Sequence, residues 1–142
     1  MGITHIFRIV LVDDNPDTTL STQLLLVAKG YEVWVANSGM AALHLIRQVQ
    51  PDVVFCDIGM PGMNGYQVAK AIQADAFGKK VRLFAVTAAG EDDDIARAMS
   101  AGFERHFLKP TPFQDILAQV EIVKTQKQAL GATVSAIEVC SL

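Results

Sequence analysis

The chain has 142 residues, enough for one domain with a real core and too few for a second folded unit of ordinary size. Apolar residues make up 51% of it, yet no window approaches eighteen uninterrupted apolar positions, and the start MGITHIFRIV lacks the basic region and long apolar core of a secretory signal. A cytoplasmic domain without membrane contact is therefore expected, and a net charge of −3 with an isoelectric point near 5.5 and no basic stripe argues against direct nucleic-acid binding.

Short runs rich in Val, Ile and Phe alternate along the chain with segments of helical spacing. The first strand is predicted over Phe7 to Val12. A helix follows from Pro16, with Asn15 as its cap, proline at its first position and Gly30 closing it, and its buried stripe is expected to be Leu20, Leu24 and Val27. The second strand is predicted over Glu32 to Ala36. The second helix follows Ser38, buries Ala42, Leu45, Ile46 and Val49, and stops before Pro51.

The third strand is predicted over Val53 to Cys56 and the third helix over roughly Gly65 to Ala74. The fourth strand spans Arg82 to Val86, and the fourth helix opens on Glu91 to Asp94, a solvated acidic start that suits the positive end of the helix dipole, and closes at Gly102. The fifth strand is predicted over Arg105 to Leu108. In the fifth helix Thr111, Pro112 and Gln114 read as cap, first-position proline and capping-box partner, with Phe113, Ile116, Leu117, Val120 and Val123 turned inward. The segment after about Lys127, QALGATVSAIEVCSL, has no strand to pair with and reads as a helix extension, linker or tail, which gives a domain over 1–127 and an appendage over 128–142.

The first, third and fourth strands are nearly continuous in apolar residues, as strands covered on both faces of a parallel sheet are. Five strands alternating with five helices predict one doubly wound α/β domain with its site beyond the carboxyl ends of the strands. Cys56 and Cys140 lie too far apart for a CxxC metal pattern and make no disulfide framework, so Cys56 reads as a small buried hydrophobe.

The strand ends carry the chemistry. VVFCDIGMPGMNG, Val53 to Gly65, runs a greasy segment into Asp57, and the first strand ends in Asp13 and Asp14. If those strands are neighbours, three carboxylates converge, and like charges so close repel unless a cation intervenes. Oxygen-only ligands select a hard ion, and Mg²⁺ fits because it takes one or two carboxylates and keeps waters and a phosphate oxygen. The fourth strand ends in Thr87 and Ala88, and the fifth in Lys109 and Pro110. A hydroxyl and an ammonium brought to such a site can hold the oxygens of a transferring phosphoryl group, with Asp57 as nucleophile.

Asp13-Asp14, Asp57 in DIGMPGMNG, Thr87-Ala88 and Lys109-Pro110 resemble, in order and spacing, the response-regulator receiver domain of two-component signalling, over roughly Phe7 to Val123. The resemblance implies a flavodoxin-like (βα)5 fold with a five-stranded parallel sheet in the order 2-1-3-4-5. It implies that Asp57 accepts a phosphoryl group from a histidine kinase or histidine-containing phosphotransfer domain. Asp14, Asp57 and the Gly59 carbonyl would coordinate Mg²⁺, with Asp13 acting mainly through water. Thr87 and the Ala88 amide would hold phosphoryl oxygens, Lys109 would pair with the phosphate, and the Lys109-Pro110 bond would be cis. Such a domain is no dedicated enzyme, although it catalyses its own phosphorylation and dephosphorylation. Its output would be a downstream protein bound on the face of helix four, strand five and helix five.

Three residues before Lys109, where many receivers carry Tyr or Phe as a rotating switch, stands His106, which reads either as a switch element or as an ordinary half-exposed histidine. GFERHFLKP together with DIGMPGMNGYQVAKAI resembles receivers fused to hybrid histidine kinases. His5 and His44 read as surface residues, Trp34 and Met40 as packing residues, and Gly59 and Ala89 as small neighbours of the pocket. Asp13-Asp14 alone would read as a polar turn capping the first helix. An aspartyl-nucleophile phosphatase of the haloacid-dehalogenase kind wants DxDxT after the first strand, where this chain has Asp13-Asp14-Asn15-Pro16. A flavodoxin wants a hydroxyl-rich phosphate loop where VDDNPD stands, which is the wrong charge for a flavin phosphate. A receiver-like module that never takes phosphate would have less reason to keep every acid and Lys109.

Overall fold

The computed structural model describes residues 6–88 and 95–141, with side chains through residue 130. Strand β1 spans Arg8–Val12, β2 Glu32–Ala36, β3 Val53–Asp57, β4 Arg82–Thr87 and β5 Phe103–Leu108. Helix α1 spans Pro16–Ala28, α2 Gly39–Val49, α3 Gly65–Ala74, α4 Ile95–Ala101 and α5 Phe113–Ser141. All strand pairs are parallel and the sheet order is β2-β1-β3-β4-β5, the predicted doubly wound (βα)5 arrangement. Strands β3, β4 and β5 run one or two residues beyond their predicted ends, because ladder bonds carry Asp57, Thr87 and Phe103 into the sheet.

Period-two alternation sorts the strands between two cores. Val10, Val12, Val54, Cys56, Leu83 and Ala85 face α2, α3 and α4, whose buried residues include Leu43, Ile46, Val68, Ile72 and Ala98. Ile9, Leu11, Val53, Phe55, Phe84 and Phe107 face α1 and α5, where Leu26, Ile116, Leu117, Val120 and Val123 are buried. The Asn15 side chain caps α1 as expected, accepting from the Asp17 amide, and Ser38 accepts from the Ala41 amide at α2; Asn64 and Gln67 form a reciprocal capping box at α3 that was not among the expectations. Gly30 and Gly102 close their helices at φ +94° and +112°.

Four expectations change. In α1 the stripe Leu20, Leu24 and Val27 faces outward, with 52%, 61% and 50% exposure, while Thr19 and Leu26 are buried. Polar anchors set this rotation: the Thr19 hydroxyl donates to the Pro16 carbonyl and accepts from Asn37 Nδ2, and Gln23 Nε2 donates to the Val33 carbonyl. In α2 the stripe shifts by part of a turn, so that Leu43 is buried and Leu45 and Val49 are only half-buried. Helix α5 starts at Phe113, one residue later than predicted, and the Thr111 hydroxyl donates to the Leu108 carbonyl. Met40 is exposed, whereas Trp34 packs against the first core and His44 lies on the surface. His5, Ala89 and the acidic start Glu91 to Asp94 lie outside the described residues, as does the Cys140 side chain.

Candidate functional site

The register Val12↔Cys56 between β1 and β3 puts Asp13 and Asp57 one step further along adjacent strands. Asp13 continues the parity of Ile9 and Leu11, Asp57 that of Val53 and Phe55, and Lys109 that of Phe107, so the three lean toward one side of the sheet. Thr87 and His106 share the other parity, through the register Ala85↔His106 and Thr87↔Leu108. The five strand-end positions thus form two sets, an acid–ammonium set and a hydroxyl–imidazole set, that meet at the carboxyl edge.

Asp13 and Asp57 are buried, with 4% and 2% exposure, and Asp14 is exposed. Each of the three offers a carboxylate oxygen within 4.8 Å of the others. Lys109 Nζ lies 2.7 Å from Asp13 Oδ2 and 3.4 Å from Asp57 Oδ1. Asp13 Oδ1 accepts from the Asn15 amide at 2.9 Å, so both of its oxygens are engaged. Asp57 Oδ1 accepts from the Gly59 amide at 3.3 Å, and among the described residues its contacts fall on that oxygen, which leaves Oδ2 for chemistry.

Burial pushes the Asp57 carboxyl up to about 6; Lys109 pulls it down and Asp13 pushes it up again. For Lys109, burial alone would lower the ammonium, but the Asp13 and Asp57 carboxylates outweigh it and the net direction is upward. The pocket therefore holds a charged lysine among three acids and keeps an excess of negative charge. That donor set, all oxygen and only partly neutralised, fits a hard divalent cation of the Mg²⁺ class better than a thiophilic one. Cys56 adds no thiolate: burial, then the charges of Asp57 and Asp13, push its thiol upward.

Thr87 is buried with 1% exposure, and its hydroxyl lies 2.5 Å from His106 Nε2. Its carbonyl accepts from the Lys109 amide at 2.7 Å, tying β4 to the β5 end, and the Lys109-Pro110 bond is cis, as the resemblance implied. Ala88 is half-buried just past β4, while Pro110 and Gly59 are exposed. Two supports escaped sequence reasoning. Asn37 Nδ2 donates to the Asp13 carbonyl at 2.8 Å and fixes the β1 end; its place directly after β2, on the same sheet edge, was the available signal. Gly65 starts α3 directly behind Asp57: an added Cβ would lie 2.6 Å from the Asp57 carbonyl oxygen.

Residues 9–121 match the family model of the response regulator receiver domain. The chain is 31% identical over 116 residues to Protein PilH of Pseudomonas aeruginosa, covering 82% of this chain and 96% of that protein. It is 30% identical over 113 residues to the DNA-binding response regulator MtrA of Mycolicibacterium smegmatis, covering 80% of this chain but only 48% of MtrA, so it spans about half the length of that relative. It is 29% identical over 109 residues to Sporulation initiation phosphotransferase F of Bacillus subtilis, covering 77% and 86% of the two chains. Among solved structures, a response regulator receiver domain protein from Clostridium thermocellum superposes with a TM-score of 0.78 at 25% identity, covering 87% of this chain and 98% of that one. Among the described residues no helix is long and apolar enough to cross a membrane.

Proposed function

The chain belongs to the response regulator receiver domain family, and from that premise we propose that Asp57 accepts a phosphoryl group from the phosphohistidine of a histidine kinase or phosphotransfer domain. Receiver domains are not independent enzymes; they act within a phosphorelay. The observation that carries the reading is the convergence of Asp13, Asp14 and Asp57 at one sheet edge, with the Lys109 ammonium against Asp13 and Asp57.

In the proposed step an Asp57 carboxylate oxygen attacks phosphorus in line, the phosphorus–nitrogen bond breaks with its electron pair leaving on the imidazole, and an acyl phosphate results. A group titrating near 6 is mostly ionised at neutral pH and more nucleophilic than an ordinary carboxylate. Asp14, Asp57 and the Gly59 carbonyl would hold Mg²⁺, with Asp13 reached through water because both of its oxygens are occupied. Bound there, the ion would neutralise the acids and the phosphoryl oxygens. Thr87, the Ala88 amide and Lys109 hold the transferred group. Drawing Thr87 toward it shifts the start of α4 and re-populates the face of α4, β5 and α5, where exposed Ile95, Met99 and Leu108 offer apolar contacts to a downstream protein.

The test is labelling by an acetyl-phosphate-type donor with Mg²⁺. Asp57→Asn should abolish it with the fold intact, and undiminished labelling of that variant would refute the assignment. Asp14→Ala should weaken Mg²⁺ binding in a direct titration; a titration matching the parent would mean the cation pocket lies elsewhere. A second reading, that this receiver is a piece of a hybrid histidine kinase, rests on GFERHFLKP with His106 in place of the usual aromatic. A full open reading frame with a kinase transmitter ahead of residue 1 would favour it.

A further inference from the structure

The Thr87–His106 contact has a direction, because a hydroxyl carries one proton and two acceptor lone pairs, whereas a neutral imidazole nitrogen either donates or accepts. We propose that in the resting domain Thr87 donates its proton to an unprotonated His106 Nε2, and that phosphorylation of Asp57 reverses this bond. The proposal rests on the phosphoacceptor reading above.

Thr87 is buried, and its hydroxyl has His106 Nε2 within hydrogen-bond distance. A phosphoryl oxygen on Asp57 has no proton to give at neutral pH, so Thr87 can hold it only by donating. Once Thr87 spends its single proton there, an unprotonated Nε2 facing the same hydroxyl oxygen would set lone pair against lone pair. The contact survives only if Nε2 carries the proton and donates to Thr87 Oγ1.

His106 is half-buried, so its ring exchanges protons with water: one leaves Nδ1 to solvent, one arrives at Nε2, and the ring stays neutral. The result is a chain from Nε2–H to Thr87 Oγ1 and from Oγ1–H to a phosphoryl oxygen, in which each bond polarises the next. A Tyr or Phe ring at this position has no such choice: phenylalanine neither donates nor accepts, and tyrosine lacks a second ring site to release a proton. His106 is here a positioning residue that acts through Thr87, and its proton reports the state of Asp57 on β5, a strand that contributes to the partner face.

The experiment uses the full chain with ¹⁵N-labelled histidine, whose three rings, His5, His44 and His106, are followed by long-range proton–nitrogen spectra at about pH 8, where an ordinary imidazole is neutral. Acetyl phosphate and Mg²⁺ are added, and intact-mass measurement on the same sample counts phosphoryl groups. The expected result is an unprotonated His106 Nε2 before addition, a protonated Nε2 in the phosphorylated chain, and reversal as the phosphate hydrolyses, with His5 and His44 unchanged. A mass increase with Nε2 still unprotonated overturns the proposal, and so does an Nε2 already protonated at rest. Absence of any mass increase defeats the phosphoacceptor reading itself, and the inference falls with it by a separately visible route.

Discussion

Replacing Asp57 by Asn should make the metal-free protein more stable, by an amount that depends on pH in a defined way. The folded carboxyl titrates near 6 because burial and Asp13 outweigh Lys109, against 3.8 for an ordinary aspartate. Below about pH 4 both folded and unfolded chains keep this proton, and Asn, an isostere of the protonated group, should leave stability unchanged. Between about pH 4 and 6 the unfolded chain ionises first, so the parent loses stability as pH rises; above about 6 both forms are ionised and the loss is complete. At ~1.4 kcal/mol per pH unit of separation the full cost is about 3 kcal/mol. Urea unfolding in chelator at about pH 4, 5, 6 and 8 measures it, and a gain of about 2 to 3 kcal/mol above pH 6, or roughly 5 to 10 °C in Tm, is expected. A difference that does not vary with pH, or a variant less stable than the parent at pH 8, would refute the claim that this carboxylate is held against its own solvation.

Gly65→Ala should cost about 1 to 3 kcal/mol in the same assay, since its Cβ would press on the Asp57 carbonyl oxygen and, at 2.8 Å, on Ile58 Cα; a parent-like midpoint contradicts that packing. Leu24→Gln on the outward face of α1 should change stability by less than ~0.5 kcal/mol, and a loss near ~2 would mean that this residue is buried after all. Asp52→Asn should lower stability by about 1 to 3 kcal/mol at neutral pH, opposite in sign to Asp57→Asn, because it weakens a satisfied acceptor of Lys127 and of the Arg8 amide; an unchanged or raised stability sinks that contrast.

The sheet and the site were legible in the sequence for one reason: a doubly wound fold delivers every strand's carboxyl end to the same edge, so residues after apolar runs are brought together by topology. Asp13, Asp57, Thr87 and Lys109 all sit at such positions. Helix α1 was not legible in the same way. Its run Leu24-Leu25-Leu26-Val27 puts apolar residues on every side, leaving no stripe to fix the rotation. The decision passed to Thr19 and Gln23, whose hydrogen bonds reach Asn37 and the Val33 carbonyl, partners 18 and 10 residues away that no helical period encodes. Asn37 escaped notice because its contribution is a single donor to a backbone carbonyl, a role that any loop asparagine could fill.

Two buried aspartates at the two ends of β3, Asp52 just before it and Asp57 closing it, differ in how the fold holds an acid. Asp52 lies at the amino end of β3, where its Oδ2 accepts from the Arg8 amide at 2.9 Å and its Oδ1 from Lys127 Nζ at 3.0 Å, with the same ammonium also donating to the Lys80 carbonyl at 2.8 Å. Both of its oxygens have fixed donors, and the charge clamps α5 to the sheet. Asp57 ends the same strand with its contacts gathered on one oxygen and a second carboxylate sharing its lysine. Burial raises its pKa, Asp13 adds to the rise because the lysine is shared, and the second oxygen is left open to a cation or an electrophile. Burial and two donors are common to both residues; what differs is their placement, one on each oxygen of Asp52 but both on a single oxygen of Asp57, where the lysine is also shared with Asp13. The carboxylate at the end of this greasy strand keeps its company of acids because its strand delivers it to the edge where they arrive, and the lysine that could have neutralised it is shared with Asp13.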